Sequence, residues 1–180
     1  MRLFIAVNIN QHSKNLIDKK LKLLQQEYND CFKWVEKQNW HLTLKFIGDV
    51  SASEQQKLIQ ALKKIDFNDK NEYIQFDSIN AFPNLDTART IYLAVNKGNK
   101  LLKNIHQNLE KNLLEFGFEN DQRNFIPHLT LGRTKNQVLK IKEKFRSKNF
   151  INIYAQIKSI SLYQSKLKAS GPEYIELFSI

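Results

Sequence analysis

The chain has 180 residues and a mass of 21.2 kDa, a length that corresponds to one domain or to two closely packed halves. Apolar residues make up 42% of it, which excludes wholesale disorder, and a single cysteine, Cys31, excludes an intramolecular disulfide. The longest apolar run near the start spans residues 3–7, which is too short for a signal-peptide core or a membrane span. We therefore expect a monomeric, cytoplasmic protein that has no contact with membranes.

The charge balance is strongly basic. The formal net charge is +10, from 28 Lys and Arg against 18 Asp and Glu, and such an excess favours anionic partners. Between Arg133 and Lys168 there are ten basic residues and a single acid, Glu143. The chain also has 23 lysines and 19 asparagines, a pairing that a codon bias would produce without any function. The sequence leaves open whether this basic segment binds nucleic acid or is only a solvated face.

The first part of the chain predicts strands separated by helices. Apolar residues alternate along residues 1–10, so that one strand face consists of Leu3, Ile5, Val7 and Ile9. Residues 13–28 carry apolar side chains at helical spacing. The next predicted elements are a short strand at 31–35, a strong strand at 40–47 and a helix from 51 to 65. That helix opens on Ser51 and Glu54, which have the spacing of a capping box.

The second part repeats this alternation. We predict strands at 73–82, 90–95, 125–133, 150–163 and 174–178, and helices at 99–116 and 136–145. Gly117 follows the first of these helices in the position of a C-terminal cap. No linker or low-complexity tract interrupts the chain, so we expect one domain over residues 1–180. Interspersed strands and helices indicate an α+β or α/β class.

The most informative feature is a repeated tetrapeptide. The sequence His-Leu-Thr-Leu at residues 41–44 recurs at residues 128–131. Composition alone would place Leu-Thr-Leu after a given residue about 4 times in 10,000, so two copies among four histidines are not accidental. Because side chains alternate along a strand, each His and its Thr share one face while the leucines share the other. Two such strands side by side in one sheet would bring two imidazoles and two hydroxyls onto one concave surface.

These residue types suit phosphodiester hydrolysis. Imidazole titrates near neutral pH, so one of His41 and His128 can accept a proton from water while the other gives one to the leaving oxygen. The hydroxyls of Thr43 and Thr130 can donate to the phosphoryl oxygens. The alternatives are histidines with a purely structural role and a metal site, for which neither motif supplies the usual carboxylate or thiolate partners. His12 and His106 fall in predicted helices and are interpreted as surface or packing residues.

The sequence resembles the 2H phosphoesterase superfamily, and within it the bacterial and archaeal RNA 2′,3′-cyclic phosphodiesterases, also called 2′-5′ RNA ligases. The resemblance rests on residues 40–48 and 123–133, which surround the two tetrapeptides, and extends over the whole chain. Its weaker parts are Phe82-Pro83 followed by Arg89, and residues 161–165 followed by Gly171 and Tyr174.

The resemblance implies an α+β fold of two pseudo-symmetric antiparallel sheet lobes, with helices outside and a central cleft. It implies that His41 donates a proton to the departing 3′ oxygen and that His128 accepts one from water. The implied substrates are RNA or nucleotides with a 2′,3′-cyclic phosphate end, and the implied product is a 2′-phosphomonoester. The family uses no metal and no other cofactor.

Two further cations are candidates for substrate binding. Strict alternation places Lys45 on the face of His41, where its ammonium would approach the phosphate; the alternative is a surface lysine at a strand edge. The same alternation places Arg133 on the face opposite His128, unless a bulge or the strand end turns it inward. The resemblance makes Arg133 a candidate phosphate contact.

The remaining candidates are Arg89, Arg123, Phe46 and Phe125. The two arginines are possible substrate contacts by resemblance. The two phenylalanines are expected in the core, with base stacking at the cleft as the alternative.

Three other activities stay open at this point. The reverse reaction, 2′-5′ RNA ligation, uses the same path run backward. A related phosphodiesterase would act on 2′-5′ oligoadenylate or on ADP-ribose cyclic phosphate. A non-catalytic RNA-binding relative would keep the cleft without turnover.

Overall fold

The computed structural model describes residues 1–67, 72–147, 150–168 and 171–180. The strands are β1 (Arg2–Ile9), β2 (Phe32–Trp34), β3 (Leu42–Asp49), β4 (Tyr73–Phe82), β5 (Thr90–Val95), β6 (His128–Thr134), β7 (Ile153–Lys168) and β8 (Gly171–Ser179). The α-helices are α1 (Gln11–Glu27), α2 (Ala52–Lys63) and α3 (Asn99–Glu115). Short 3₁₀ turns cover Lys37–Asn39 and Glu143–Phe145. No helix among the described residues is both long and apolar enough to cross a membrane.

All strand pairs are antiparallel, in the order β2-β6-β5-β4-β7-β1-β3, with β8 paired to β7. The long strand β7 joins two lobes, because its first residues pair with β4 and its later residues pair with β1 and β8. The first lobe contains β1, β3 and β8, and the second contains β2, β4, β5 and β6. Each lobe carries one His-Leu-Thr-Leu strand, β3 in the first and β6 in the second. The expected α+β class is confirmed.

The helices cover the sheet with the apolar faces that their periodicity predicts. Helix α1 buries Ile17, Leu21 and Leu24, and α3 buries Leu102, Ile105, Leu109 and Leu113. The predicted capping box is present, since the Ser51 hydroxyl accepts from the Glu54 amide and the Glu54 carboxylate accepts from the Ser51 amide. Gly117 follows α3 with φ at +87°, a left-handed conformation that glycine adopts without a Cβ clash.

Strand β1 departs from the predicted one-sided pattern. Leu3, Ile5, Val7 and Ile9 lie in the core as expected, but Phe4, Ala6 and Asn8 on the other face are buried too. Rings from β7 and β8 cover that face: Phe4 stacks on Tyr163 at 5.3 Å and meets the edge of Tyr174 at 5.0 Å. The second face of β1 is therefore covered by aromatic rings.

The predicted helix at 136–145 is wrong. Leu139 exchanges two backbone hydrogen bonds with Ala88, and the Ile141 amide donates to the Leu85 carbonyl at 2.8 Å. These pairings hold the segment extended until the short turn Glu143–Phe145. Ile141 and Phe145 are buried in the core, so tertiary contacts outweigh helix propensity here.

Candidate active site

The two tetrapeptides meet in one cleft. Strands β3 and β6 lie near opposite edges of the sheet and do not pair, but they approach each other across a cavity of about 440 Å³. Its lining includes His41, Thr43, His128, Thr130, Arg133, Phe46, Phe82, His106, Arg123, Phe125, Ile126 and Tyr174. The structure thus brings together both imidazoles and both hydroxyls that the motif predicted.

His41 is fixed at the start of β3 by two hydrogen bonds. Its Nδ1 donates to the Asn39 carbonyl at 2.7 Å, and its Nε2 lies 3.0 Å from the Thr43 hydroxyl. A carbonyl only accepts, so Nδ1 carries the proton and Nε2 is the nitrogen that exchanges one. The ring packs 4.9 Å from Phe4 and 5.3 Å from Tyr174.

Burial lowers the pKa of His41 to about 4. The Asn39 carbonyl opposes this effect, and the positive charges of Lys14 and Arg133 add to it. Lys14 is itself buried, and its ammonium donates to the Gln38 carbonyl at 3.1 Å. In the free protein, His41 is therefore neutral at pH 7.

His128 is held in the same way in the other lobe. Its Nδ1 donates to the Ile126 carbonyl at 2.7 Å, two residues earlier, which again leaves Nε2 to exchange a proton. The ring lies edge-on to Phe82 at 5.2 Å and to Tyr92 at 5.0 Å. Burial lowers the pKa of His128, and Arg133 contributes in the same direction. A neutral imidazole of this kind suits proton acceptance from water.

A bulge follows the threonine in each motif strand and changes which residues face the cleft. In β3 the register passes from Thr43 opposite Ala6 to Lys45 opposite Ile5, which leaves Leu44 as the extra residue. In β6 it passes from Thr130 opposite Tyr92 to Gly132 opposite Ile91, which leaves Leu131 extra. An extra residue reverses the alternation beyond it.

The bulge makes strict alternation wrong for Lys45. This residue lies opposite Ile5 rather than on the face of His41 and is buried, although its side chain still lines the cavity. Its ammonium donates to both carboxylate oxygens of Glu110, at 2.8 and 2.7 Å, and to the Glu119 carbonyl at 2.7 Å. The ammonium that was expected at the phosphate is thus committed to an ion pair with α3.

The same geometry turns two other side chains into the cleft. Phe46 is 63% exposed and lines the cavity, so the expectation that it lies in the core is wrong. Arg133 occupies the equivalent position in β6, opposite Thr90, and also lines the cavity. The sequence placed Arg133 on the opposite face unless a bulge turned it inward, and the structure contains that bulge.

Of the three remaining candidates, two line the cavity that the described residues form and one does not. Arg123 lines the cavity and forms a bidentate pair with Asp121, with its closest contact at 2.8 Å. Phe125 lines the cavity and stacks flat on His106, with ring centroids 4.2 Å apart. Arg89 is not among the lining residues that the described chain provides, and its backbone instead bonds to Phe82 and Thr134.

Sequence reasoning missed most of the aromatic residues around the imidazoles, namely Phe4, Phe82, Tyr92 and Tyr163. One signal was available, because the large aromatic Phe4 stands on the face of β1 opposite the apolar residues that were predicted to share one face. Sequence reasoning interpreted His106 as a surface or packing residue; the structure packs its ring on Phe125 at the cleft wall.

The basic segment is partly neutralised within the fold. Four of its side chains pair with two carboxylates, Lys142 and Lys144 with Glu27, and Lys140 and Arg146 with Asp86. Lys148 lies outside the described residues, and Arg133 faces the cleft. Among the described residues of this segment, Arg133 is the one that lines the cavity.

The cleft combines groups that can exchange protons with groups that can bind an anion. It presents two Nε2 atoms, two hydroxyls and a guanidinium whose charge acts on both imidazoles. The described residues include no group of three or more His, Cys, Asp or Glu side chains arranged to hold a metal ion.

Comparisons with known proteins identify the family of this chain. A family model described as "LigT like Phosphoesterase" matches residues 14–92 and 93–174. The RNA 2′,3′-cyclic phosphodiesterase of Methanocaldococcus jannaschii is 34% identical over 179 residues, which cover 97% of this chain and 96% of the relative. A protein of the same name from Archaeoglobus fulgidus is 31% identical over 182 residues and is covered to 98%, as is this chain.

Solved structures show the same fold. E. coli LigT complexed with 3′-AMP has a TM-score of 0.77 at 22% identity, and the match covers 99% of this chain and 96% of that one. The protein TT0787 of Thermus thermophilus also has a TM-score of 0.77, at 20% identity and the same coverage. The resemblance found in the sequence is confirmed, and the chain belongs to the LigT-like phosphoesterase family.

Proposed function

We propose that this protein hydrolyses 2′,3′-cyclic phosphodiesters, at RNA ends or on nucleotides, to 2′-phosphomonoesters. The observation that carries the proposal is the pair of imidazoles in one cleft, each oriented by a backbone carbonyl through Nδ1 and each presenting Nε2. The names of the relatives from M. jannaschii and A. fulgidus support the same reaction.

The proposed mechanism assigns one proton transfer to each imidazole. Neutral His128 accepts a proton at Nε2 from the attacking water, while the water oxygen bonds to phosphorus. Protonated His41 gives its Nε2 proton to the 3′ oxygen as the bond between phosphorus and that oxygen breaks. The net reaction adds one water and leaves the phosphate on the 2′ oxygen. Proton transfer from His128 to His41 through solvent restores the starting state.

The lowered pKa of His41 sets a condition on this mechanism. His41 must gain a proton to act as the acid, and the negative charge of the bound phosphate favours that gain. Substrate binding is therefore coupled to protonation of His41, and the free and bound forms have different pH dependences.

The other cleft residues act on the phosphate and the nucleoside. We propose that the hydroxyls of Thr43 and Thr130 donate to the nonbridging oxygens, where negative charge collects in the transition state. Arg133 supplies a guanidinium for the same oxygens. Phe46 offers an exposed ring on which a base can stack.

Turnover of a 2′,3′-cyclic nucleotide, compared with turnover of an RNA that ends in a cyclic phosphate, tests the proposal. We expect a 2′-phosphate product from both substrates. Tight RNA binding without turnover would instead identify a non-catalytic binding protein. Formation of 2′-5′ linkages from RNA ends would identify the ligation direction, which uses the same groups in reverse.

We also propose that residues 1–180 form one domain, because β7 pairs with strands of both lobes. We further propose that the protein is a monomer and acts in the cytoplasm. A single unfolding transition, a monomer mass in light scattering and recovery in the cytoplasmic fraction are the expected results.

A further inference from the structure

One wall of the cleft is an irregular loop, residues 119–127, which leads from α3 into β6. This cleft loop provides Arg123, Phe125 and Ile126 to the cavity lining. Within the described part of the chain, no backbone–backbone hydrogen bond ties residues 119–126 to another element. Side chains must therefore hold the loop in place.

A buried ion pair provides that attachment. The Lys45 ammonium donates to the Glu119 carbonyl at 2.7 Å, at the start of the loop. Its partner Glu110 accepts from the Asp121 amide at 3.2 Å, two residues further along. The Lys45 and Glu110 side chains are only 6% and 11% exposed. The pair thus connects β3 and α3 to two closely spaced points of the cleft loop.

Two contacts carry this attachment into the cavity. Asp121, which is held by Glu110, forms the bidentate pair with Arg123. The Nε2 of His106 lies 3.6 Å from Glu110 Oε1. The His106 ring stacks on the Phe125 ring, with ring centroids 4.2 Å apart. The position of Arg123 therefore depends on Glu110, and Phe125 packs on His106, which lies one turn before Glu110 on α3.

Stability alone is a weak reason for this arrangement. Burying two charges costs several kcal/mol per ion, and replacing a buried ion pair by apolar residues of similar volume is often neutral or stabilising. Among the described residues the second lobe has no counterpart of the pair, because the position equivalent to Lys45 is Gly132. Among the described residues, this ion pair is therefore found beside the cleft loop and not at the equivalent position of the second lobe.

We propose that the Lys45–Glu110 ion pair is a positioning device that fixes the cleft loop, so that Arg123 and Phe125 hold the nucleoside part of the substrate beside the cyclic phosphate. Phe125 offers an aromatic face and Arg123 a cation, which together match a base and a neighbouring phosphate of RNA. The loop holds neither motif histidine, so its displacement weakens substrate binding and leaves the proton transfers intact. This positioning role rests on the proposed function, because the change in KM can be measured only if the protein hydrolyses the cyclic phosphate.

The decisive variant is Lys45→Met/Glu110→Leu, which replaces the ion pair by apolar side chains and removes both attachments to the loop. We expect its melting temperature to stay within a few degrees of the wild-type value, since the buried charges leave together. We expect KM for RNA with a cyclic phosphate end to rise at least about tenfold and kcat to change less than about threefold. The single variant Glu110→Gln, which keeps an acceptor for the Asp121 amide, should show a smaller rise in KM.

The matched control is Lys64→Met. Lys64 and Glu115 form an ion pair of the same type at 2.7 Å, but it is half exposed and lies outside the loop and the cavity lining. Its loss should leave KM and kcat unchanged. A double variant that is stable and keeps the wild-type KM, or one that loses kcat at unchanged KM, would overturn the positioning role.

Limited trypsin digestion gives a readout that needs no turnover. Arg123 is highly exposed, and cleavage after it requires the cleft loop to leave the wall. We expect faster cleavage at Arg123 in the double variant, and the wild-type rate in Lys64→Met. Faster cleavage in a protein that hydrolyses no cyclic phosphate would defeat the proposed function and leave the anchoring role standing. An unchanged cleavage rate would defeat the anchoring role.

Discussion

The pH dependence of turnover follows from the environment of His41, which lowers the pKa of this imidazole. Lowering its pKa from the ordinary 6.5 to about 4 corresponds to about 3 kcal/mol against the imidazolium, at about 1.4 kcal/mol for each pKa unit. At pH 7, only about one free molecule in a thousand carries the proton that the acid needs. Burial is the largest cause, followed among the charges by Lys14, His128 and Arg133.

A bound substrate changes this balance. A phosphodiester anion about 4 Å from the ring attracts the imidazolium by about 4 kcal/mol at an effective dielectric constant of about 20. This attraction is of the same size as the penalty in the free protein. The pKa of His41 in the complex should therefore return towards the ordinary range for an imidazole.

Profiles of kcat and kcat/KM against pH test this reasoning. Both imidazoles have lowered pKa values in the free protein, so kcat/KM should be bell-shaped with its maximum below pH 6.5. The alkaline limb of kcat should lie at higher pH, because the bound phosphate retains the His41 proton. His12→Ala, at an exposed position remote from the cleft, is the matched control and should keep both profiles. A kcat/KM maximum above pH 7.5, or coincident alkaline limbs, would refute the reasoning.

Three further predictions concern the threonines, metal ions and stability. Thr43→Ala and Thr130→Ala should each lower kcat by about 10- to 1,000-fold while circular dichroism shows an intact fold, since each removes one donor to the phosphoryl oxygens; unchanged kcat in both would remove that role. Turnover should survive EDTA, because the two imidazoles supply both proton transfers; loss of activity that one divalent ion restores would contradict this. The folded pKa of His41 lies below the unfolded value, so the unfolded chain binds more protons between about pH 4 and 6.5, and stability falls as the pH falls through that window. The free energy of unfolding, measured with urea at pH 7 and at pH 4.5, should fall between these two pH values in the wild type. In His41→Ala this fall should be smaller by up to about 3 kcal/mol. An equal fall in both proteins would contradict the burial of this ring.

Local signals predicted much of the fold. The bounds expected for β4 and β5, 73–82 and 90–95, agree with the structure, because each apolar run is bounded by turn residues. The capping box before α2 was readable because both of its partners lie within one turn. The repeat predicted that the two histidines share one surface, which the common cavity confirms, but it could not show that the two motif strands lie near opposite edges of the sheet and meet only because the two lobes face each other.

The sequence could not show which side chains beyond the threonines face the cleft. The bulges at Leu44 and Leu131 depend on the register with β1 and β5, which lie far away in the chain. They moved Lys45 away from the face of His41, and they moved Phe46 and Arg133 to the cleft. The segment at 136–145 failed for a similar reason, because its extended form depends on pairing with residues 85–88.

The central claim is that His41 and His128 divide the acid and base roles, and one comparison of variants tests it most directly. Each of His41→Ala and His128→Ala should lower turnover of a 2′,3′-cyclic nucleotide by about 100- to 10,000-fold, and the double variant should be barely worse than either. An aryl phosphodiester whose leaving oxygen needs no proton should then restore turnover in His41→Ala alone. Rescue of His128→Ala instead would reverse the two roles, and wild-type turnover in both single variants would contradict the account.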